Sequence, residues 1–373
     1  MSDDDDPLPP PPPCIAAVLL DDNLLEVIFS ALSPRDGGRA CGTCQTWSTT
    51  WTVVWQGRAL TCVQTVGPKL PRTEPGLPLH AQDEAWYGSA TYLWLSGLRS
   101  LAALPNHEVL IGHFHNGFYH ATPDFKVKRQ ITHHNDLPLG RVDHIECDAD
   151  VVLCGATELE GISSRVMSFE VSDLSPKHMS AVDMYHGAMA IYADVVYVRA
   201  FGQIAELDKT SLLERSRFGD GVLGEGSLGA MAILGERLYV TDSPAEEGLP
   251  YSPTEEGLPC ARVHIFSLQG EHVSTVDLAG IWGINWLLAS HGRLYATEYV
   301  EPADVEDSVA WWRCRAVTGK RVLTLSPQLE LLCEFRGEGE HARPVAFGAM
   351  APRGDDELLV ADMNNEAIHV LSV

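Results

Sequence analysis

The chain is 373 residues long, with 51 acidic residues against 26 basic ones and a formal net charge of −25. An acidic excess of that size repels nucleic-acid backbones and anionic membrane surfaces, so neither is expected as the main partner, whereas a basic protein surface is compatible with it. No apolar run approaches the roughly 18 residues of a membrane-spanning helix, the first residues lack the basic region of a signal peptide, and nine scattered cysteines suit a reducing compartment, cytoplasmic or nuclear.

Residues 1–17 begin with four aspartates at 3 to 6, then Pro7 and an unbroken proline run at 9 to 13. This composition has nothing to bury and reads as a solvated, polyproline-prone tail. The first periodic signal follows it. Leu24, Leu25, Ile28, Phe29 and Leu32 fall at i, i+1, i+4, i+5 and i+8, a single apolar stripe on a 3.6-residue period. Asp21, Asp22 or Asn23 caps the first turn and Ser33-Pro34 stops the helix, which has one face to cover. With Leu20, the Pro34-Arg35-Asp36 turn, Cys44 and Trp47, this pattern resembles an F-box. The resemblance implies a three-helix module over residues 18–58 that docks on the Skp-type adaptor of a cullin-RING ubiquitin ligase. Its adaptor-binding residues would be Leu20, Leu24, Leu25, Ile28, Phe29, Leu32, Pro34 and Trp47. Cys41 and Cys44 form a CxxC, but no second pair follows at zinc spacing, so a place in a helix core is the better reading.

From residue 97 onward the chain repeats. Gly187-Ala188-Met189-Ala190, Gly229-Ala230-Met231-Ala232 and Gly348-Ala349-Met350-Ala351 are each followed about ten residues later by a second apolar run. Anchoring the second runs at Ile111, Leu153, Tyr197, Tyr239, Tyr295 and Leu359 gives spacings of 42, 44, 42, 56 and 64 residues. Units of four short β-rich runs at a period in the low forties predict an all-β, six-bladed propeller over residues 59–373. The stretch Leu359-Val360-Ala361-Asp362 with Ile368-His369-Val370 resembles an NHL-type repeat. The last unit stops after its third strand, which would leave an unpaired edge. Residues 59–66 follow the F-box-like segment directly and are expected to supply the missing fourth strand. The two long second-to-third strand insertions, 243–260 and about 300–320, then share a face with the starts of the innermost strands. The first of these insertions is a nine-residue tandem duplication, rich in Pro, Gly and Glu.

That face is where a ligand is expected. Aligned strand starts place Ser100, Asp143, Gly187, Gly229, Asn285 and Gly348 around the channel mouth, with Arg99, Arg141, Arg313, Arg315 and Arg343 near it. Arg141, Asp143, Asn285, Arg343 and Trp282 are the candidate substrate-binding residues. A calcium-dependent, lactonase-like hydrolase would need six to eight oxygen ligands converging there, and only Asp143 and Asn285 qualify. His113 and His115 share a strand face without a third ligand and read as exposed strand histidines. With no GxSxG, Walker-type loop or HExxH, no cofactor and no chemistry of the protein's own are expected. The F-box resemblance instead implies a non-catalytic, substrate-recognition subunit of an SCF-type ligase that binds adaptor, cullin scaffold and an unidentified protein substrate. A lactonase-like hydrolase and a scaffold working outside any ligase are the alternatives.

Overall fold

The computed structural model describes residues 60–66, 98–113, 117–157, 164–184, 188–224, 229–242, 260–281, 283–299, 321–337, 347–363, 365 and 367–373. The F-box-like segment, the loop at 67–97 and nearly all of both insertions lie outside them. Residues 60–372 form one compact unit, and residues 1–59 belong to another.

The larger unit is a ring of six four-stranded antiparallel sheets, an all-β, six-bladed propeller. β1 (Thr61–Val66) comes first in the chain. Blade 1 is built from β2 (Leu98–Ala103), β3 (Val109–His113), β4 (Phe118–Ala121) and β5 (Val127–Ile131). A short hairpin, β6 (His133–His134) with β7 (Leu137–Pro138), leads on. Blade 2 contains β8 (Arg141–Cys147), β9 (Val151–Thr157), β10 (Ser164–Glu170) and β11 (Pro176–Met184). Blade 3 follows with β12 (Met189–Tyr192), β13 (Val195–Ala200), β14 (Gln203–Asp208) and β15 (Glu214–Phe218). In blade 4 the strands are β16 (Met231–Leu234), β17 (Arg237–Asp242), β18 (Cys260–Ser267) and β19 (His272–Ala279). Blade 5 has β20 (Gly283–Ser290), β21 (Arg293–Tyr299), β22 (Val322–Leu325) and β23 (Leu331–Phe335). Blade 6 has β24 (Phe347–Arg353), β25 (Glu357–Asp362) and β26 (Ala367–Ser372), and its fourth strand is β1.

All six anchor residues lie on second strands, which explains why those runs read as continuously apolar. A second strand has sheet on both edges and a neighbouring blade on both faces, so Val109, Leu110 and Ile111, or Leu358, Leu359 and Val360, are all buried. The core is therefore a set of layers between blades. Leu110, Val142, Cys154 and Phe169 fill the layer between blades 1 and 2. Tyr239, Ile265, Leu294 and Leu323 fill the one between blades 4 and 5. Two anchor tyrosines tie neighbouring blades by their polar tips: the Tyr197 hydroxyl donates to Leu268 O at 2.8 Å, and that of Tyr239 to Pro327 O at 2.9 Å. Fourth strands have an outer face in water and are polar to match. β15 reads Glu-Arg-Ser-Arg-Phe, with only its phenylalanine drawn inward.

β1 pairs antiparallel with β26, Thr61 opposite Ser372 and Val66 opposite Ile368, so blade 6 joins strands from both ends of the ring. The hairpin between β3 and β4 requires Gly117. Its φ is +69°, and an added Cβ would lie 2.0 Å from the carbonyl oxygen of Ile131.

Candidate functional site

In each antiparallel blade the first strand runs one way and the second returns, so first-strand starts and second-strand ends share one face of the ring. This face carries the candidate mouth. The sheet pairing there is irregular at one place per blade in four blades. The register shifts between Leu98 and Ser100, between Val142 and His144, between Ile284 and Trp286, and between Phe347 and Met350. Arg99, Asp143 and Asn285 are therefore the extra, bulged residues at the entrance, and Gly348 with Ala349 fills the same role in blade 6. Bulges re-aim side chains and gather beside functional sites. The aligned strand starts pick out the same positions to within a residue.

Asp143 is held by its neighbour on the strand: Arg141 Nε donates to Asp143 Oδ2 at 2.8 Å, with both side chains partly buried. The carboxylate is thus engaged by a guanidinium, which is a poor starting point for a cation ligand. Asn285 is half-buried. Ser100 is fully buried and its hydroxyl donates to Val142 O at 3.3 Å, joining blades 1 and 2. Gly229 marks a close approach, since a Cβ there would sit 2.7 Å from Thr241 O and against the Arg199 guanidinium. Trp282, Arg343, Gly187, Arg313 and Arg315 lie outside the described residues, as do all eight adaptor-binding candidates from Leu20 to Trp47. Among the described residues no group of three or more His, Cys, Asp and Glu is placed to hold a metal. His113 corrects the expectation of an exposed strand histidine. It is 7% exposed and packs edge-on against Tyr119 at 5.7 Å, because a second strand has no solvent face. His115 falls outside the described residues.

Further down the channel, the His144 imidazole stacks on the Trp286 indole, with ring centroids 4.5 Å apart and planes at 10°. These residues belong to the innermost strands of blades 2 and 5, which stand opposite each other in a ring of six. The stack therefore spans the channel. Trp286 also packs against the blade 6 and blade 1 layer, and Glu146 lies 3.4 Å from His144 Nε2.

A second set of polar groups went unread in the sequence. Asp242 ends β17, His264 sits on β18 and Thr275 on β19. His264 Nε2 faces Asp242 Oδ2 at 3.6 Å, and its Nδ1 meets Thr275 Oγ1 at 2.9 Å. In blade 6 the pattern recurs across the seam. His369 Nε2 is 3.4 Å from Asp362 Oδ2, and Nδ1 is 3.0 Å from Thr65 Oγ1 of β1. Blade 5 substitutes an ionic version in which Arg321 bridges Glu298 and Glu334, with Nη2 donating to Glu298 Oε1 at 2.9 Å and Nη1 to Glu334 Oε2 at 2.8 Å. Each links the second strand of its sheet to the fourth through a residue on the third strand or, in blade 5, immediately before it. In blade 4 the chain extends to blade 3: Arg199 lies 3.8 Å from Asp242 and donates to Gly224 O, while Gly224 N donates to Asp242 Oδ2 at 2.8 Å. The sequence signal was available as a match between blades. Leu238-Tyr-Val-Thr-Asp242 parallels Leu358-Leu-Val-Ala-Asp362, Val263-His-Ile-Phe-Ser267 parallels Ile368-His-Val-Leu-Ser372, and His272-Val-Ser-Thr-Val276 parallels Cys62-Val-Gln-Thr-Val66.

No family model matches the chain, and no curated protein matches it either. Among solved structures it is similar to Kuenenia stuttgartiensis hydrazine synthase, at 10% identity and a TM-score of 0.50 over 72% of this chain and 74% of that one. It also matches BamB from Moraxella catarrhalis, at 13% identity and TM-score 0.39 over 73% and 69%. A third match is the WD40 β-propeller domain of Doa1, at 9% identity and TM-score 0.49 over 74% and 78%. At 10% identity, the likeness to hydrazine synthase shows the fold and nothing of its chemistry.

Proposed function

We propose that the protein is a substrate-recognition subunit of an SCF-type ubiquitin ligase, with an F-box over residues 18–58 and the propeller as receptor. One observation carries the reading: the F-box-like segment runs directly into β1, the strand that completes blade 6. The adaptor-docking element is thereby joined in sequence to the ring that would hold the substrate, with no linker between. Its work is proximity, bringing a target to catalytic subunits that are other chains, in the cytoplasm or nucleus. The blade 4 and blade 6 signature, Leu-x-Val-x-Asp followed by an apolar-His-apolar strand, favours an NHL-type origin for the ring. The bulged mouth with Arg141, Asp143 and Asn285 is the receptor surface in this reading, and Trp282 and Arg343 belong to the same set. Co-purification of full-length protein from cells is expected to recover a Skp-type adaptor and a cullin. Ile28→Ala with Phe29→Ala, which removes the apolar stripe, is expected to abolish adaptor recovery while the propeller still melts cooperatively. Adaptor recovery undiminished by that double substitution overturns the ligase reading.

A further inference from the structure

The Asp–His–Thr frame of blade 6 contains one group that its twin in blade 4 lacks, the Cys62 thiol. In both blades the fourth strand carries a bulge at a valine, Val63 in β1 and Val273 in β19, where the register shifts. The bulge turns residues i and i+3 to the same side, so Cys62 joins Thr65, as His272 joins Thr275. Cys62 Sγ lies 3.8 Å from His369 Nδ1 and 3.6 Å from Thr65 Oγ1. His369 is 1% exposed and Asp362 is completely buried, whereas Cys62 is half-buried and reachable from solvent. Asp362 is further fixed by Asn365, whose Nδ2 donates to Oδ2 at 2.7 Å.

From this geometry we infer that Cys62 is a modification site, a thiol activated by the Asp362–His369 pair and oxidised by small hydroperoxides. A carboxylate only accepts, so the imidazole nitrogen facing it, Nε2, carries the proton and Nδ1 presents its lone pair to the hydroxyl and the thiol. The Cys62 thiol donates to Gln64 O at 3.5 Å; its proton leaves that carbonyl and passes to Nδ1, directly or through the Thr65 hydroxyl, and the Asp362 carboxylate holds the imidazolium so formed. The thiolate sulfur attacks one peroxide oxygen. An S–O bond forms, the O–O bond breaks, and the leaving oxygen takes the proton from the imidazolium and departs as water from hydrogen peroxide or as the alcohol from an alkyl hydroperoxide. Sulfur is oxidised by two electrons to the sulfenic acid, and the peroxide is reduced by the same two. The partial burial of Cys62 admits a small oxidant rather than a bulky one. The new oxygen sits inside the bulge that sets the seam's register, so oxidation loosens β1 from β26. Cys147 and Cys154 offer no such chemistry, because burial pushes both thiols up from their ordinary value.

The test exposes the full chain to dilute hydrogen peroxide with a dimedone trap and follows each cysteine peptide by mass spectrometry. Cys62 is expected to label about ten-fold faster than Cys333, another half-buried thiol among the described residues, and the ratio is expected to collapse towards unity in urea. His369→Gln and Asp362→Asn, neither of which alters the thiol, are each expected to slow Cys62 by about ten-fold. A native ratio near unity overturns the inference without any variant. So does unchanged Cys62 labelling in either variant whose far-UV spectrum remains native, since a frame that serves structure alone has no effect on thiol rate.

Discussion

Buried charge decides the behaviour of single residues here. Arg199 is 1% exposed; burial pushes its guanidinium down from the ordinary arginine value, and the Asp242 carboxylate acts against that shift. Removing one partner of such a pair leaves the other buried and uncompensated, a loss of about 3 to 5 kcal/mol. Arg199→Met is therefore expected to lower stability in urea by that order, and adding Asp242→Leu should give back part of the loss. Strictly additive losses would show the two groups uncoupled. Buried histidines set the pH dependence nearer neutrality. His120, His134 and His291 are all lowered from 6.5, first by burial, even though Glu108 raises His120 and Asp355 raises His291. With folded values below unfolded ones, the unfolded chain binds more protons in the window beneath 6.5, so stability falls as pH drops through it. Glu108, lowered mainly by Lys128, adds a further loss only below its ordinary 4.5. Denaturation midpoints should thus decline between pH 7 and 5, and replacing the three histidines with glutamine should flatten that decline.

At the level of strands, the most consequential is β1. Without it the outer edge of β26 has no partner, and Thr65 is lost from the His369 frame. A chain starting at residue 68 is expected to melt far below one starting at 55, or to aggregate, as read by differential scanning calorimetry and light scattering. Equal melting would mean that the blade 6 edge is covered by something else. Strands of this ring were largely legible in the sequence because each second strand is apolar on both faces and each third and fourth strand is bounded by turn residues. Phe118–Ala121 and Val322–Leu325 are short third strands of this kind. The hairpin of His133–His134 with Leu137–Pro138 was not legible, being too short for any period to register. Aligning strand starts picked out positions within a residue of the bulges, but the bulges themselves and the Arg141–Asp143 pairing were not legible, since both depend on the register of β8 against β9. His264 and His369 were missed for another reason. Each is a single polar residue in an apolar strand, and its partners lie on strands that only the sheet register brings alongside.

For the molecule as a whole, the mouth is the surface we propose as the receptor for a bound protein. If it receives an acidic or phosphorylated segment, Arg141→Glu with Arg343→Glu should lose that target in a comparative pull-down while the adaptor is still recovered. The interaction lost should also be the one that weakens with salt. Retention of the same targets would move the receptor surface elsewhere. The seam of blade 6 also has a bearing on time. Cys62 and His369 are 307 positions apart, yet they belong to one sheet. At roughly 5 to 20 residues per second, synthesis leaves β1 waiting on the order of 15 to 60 s for its partner. Throughout that interval a fourth strand exists without a third, while blades 1 to 5 can form in turn from contiguous chain. The earliest of the described strands to emerge is thus among the last to be placed, and β1 stays outside its sheet while the five intervening blades are made.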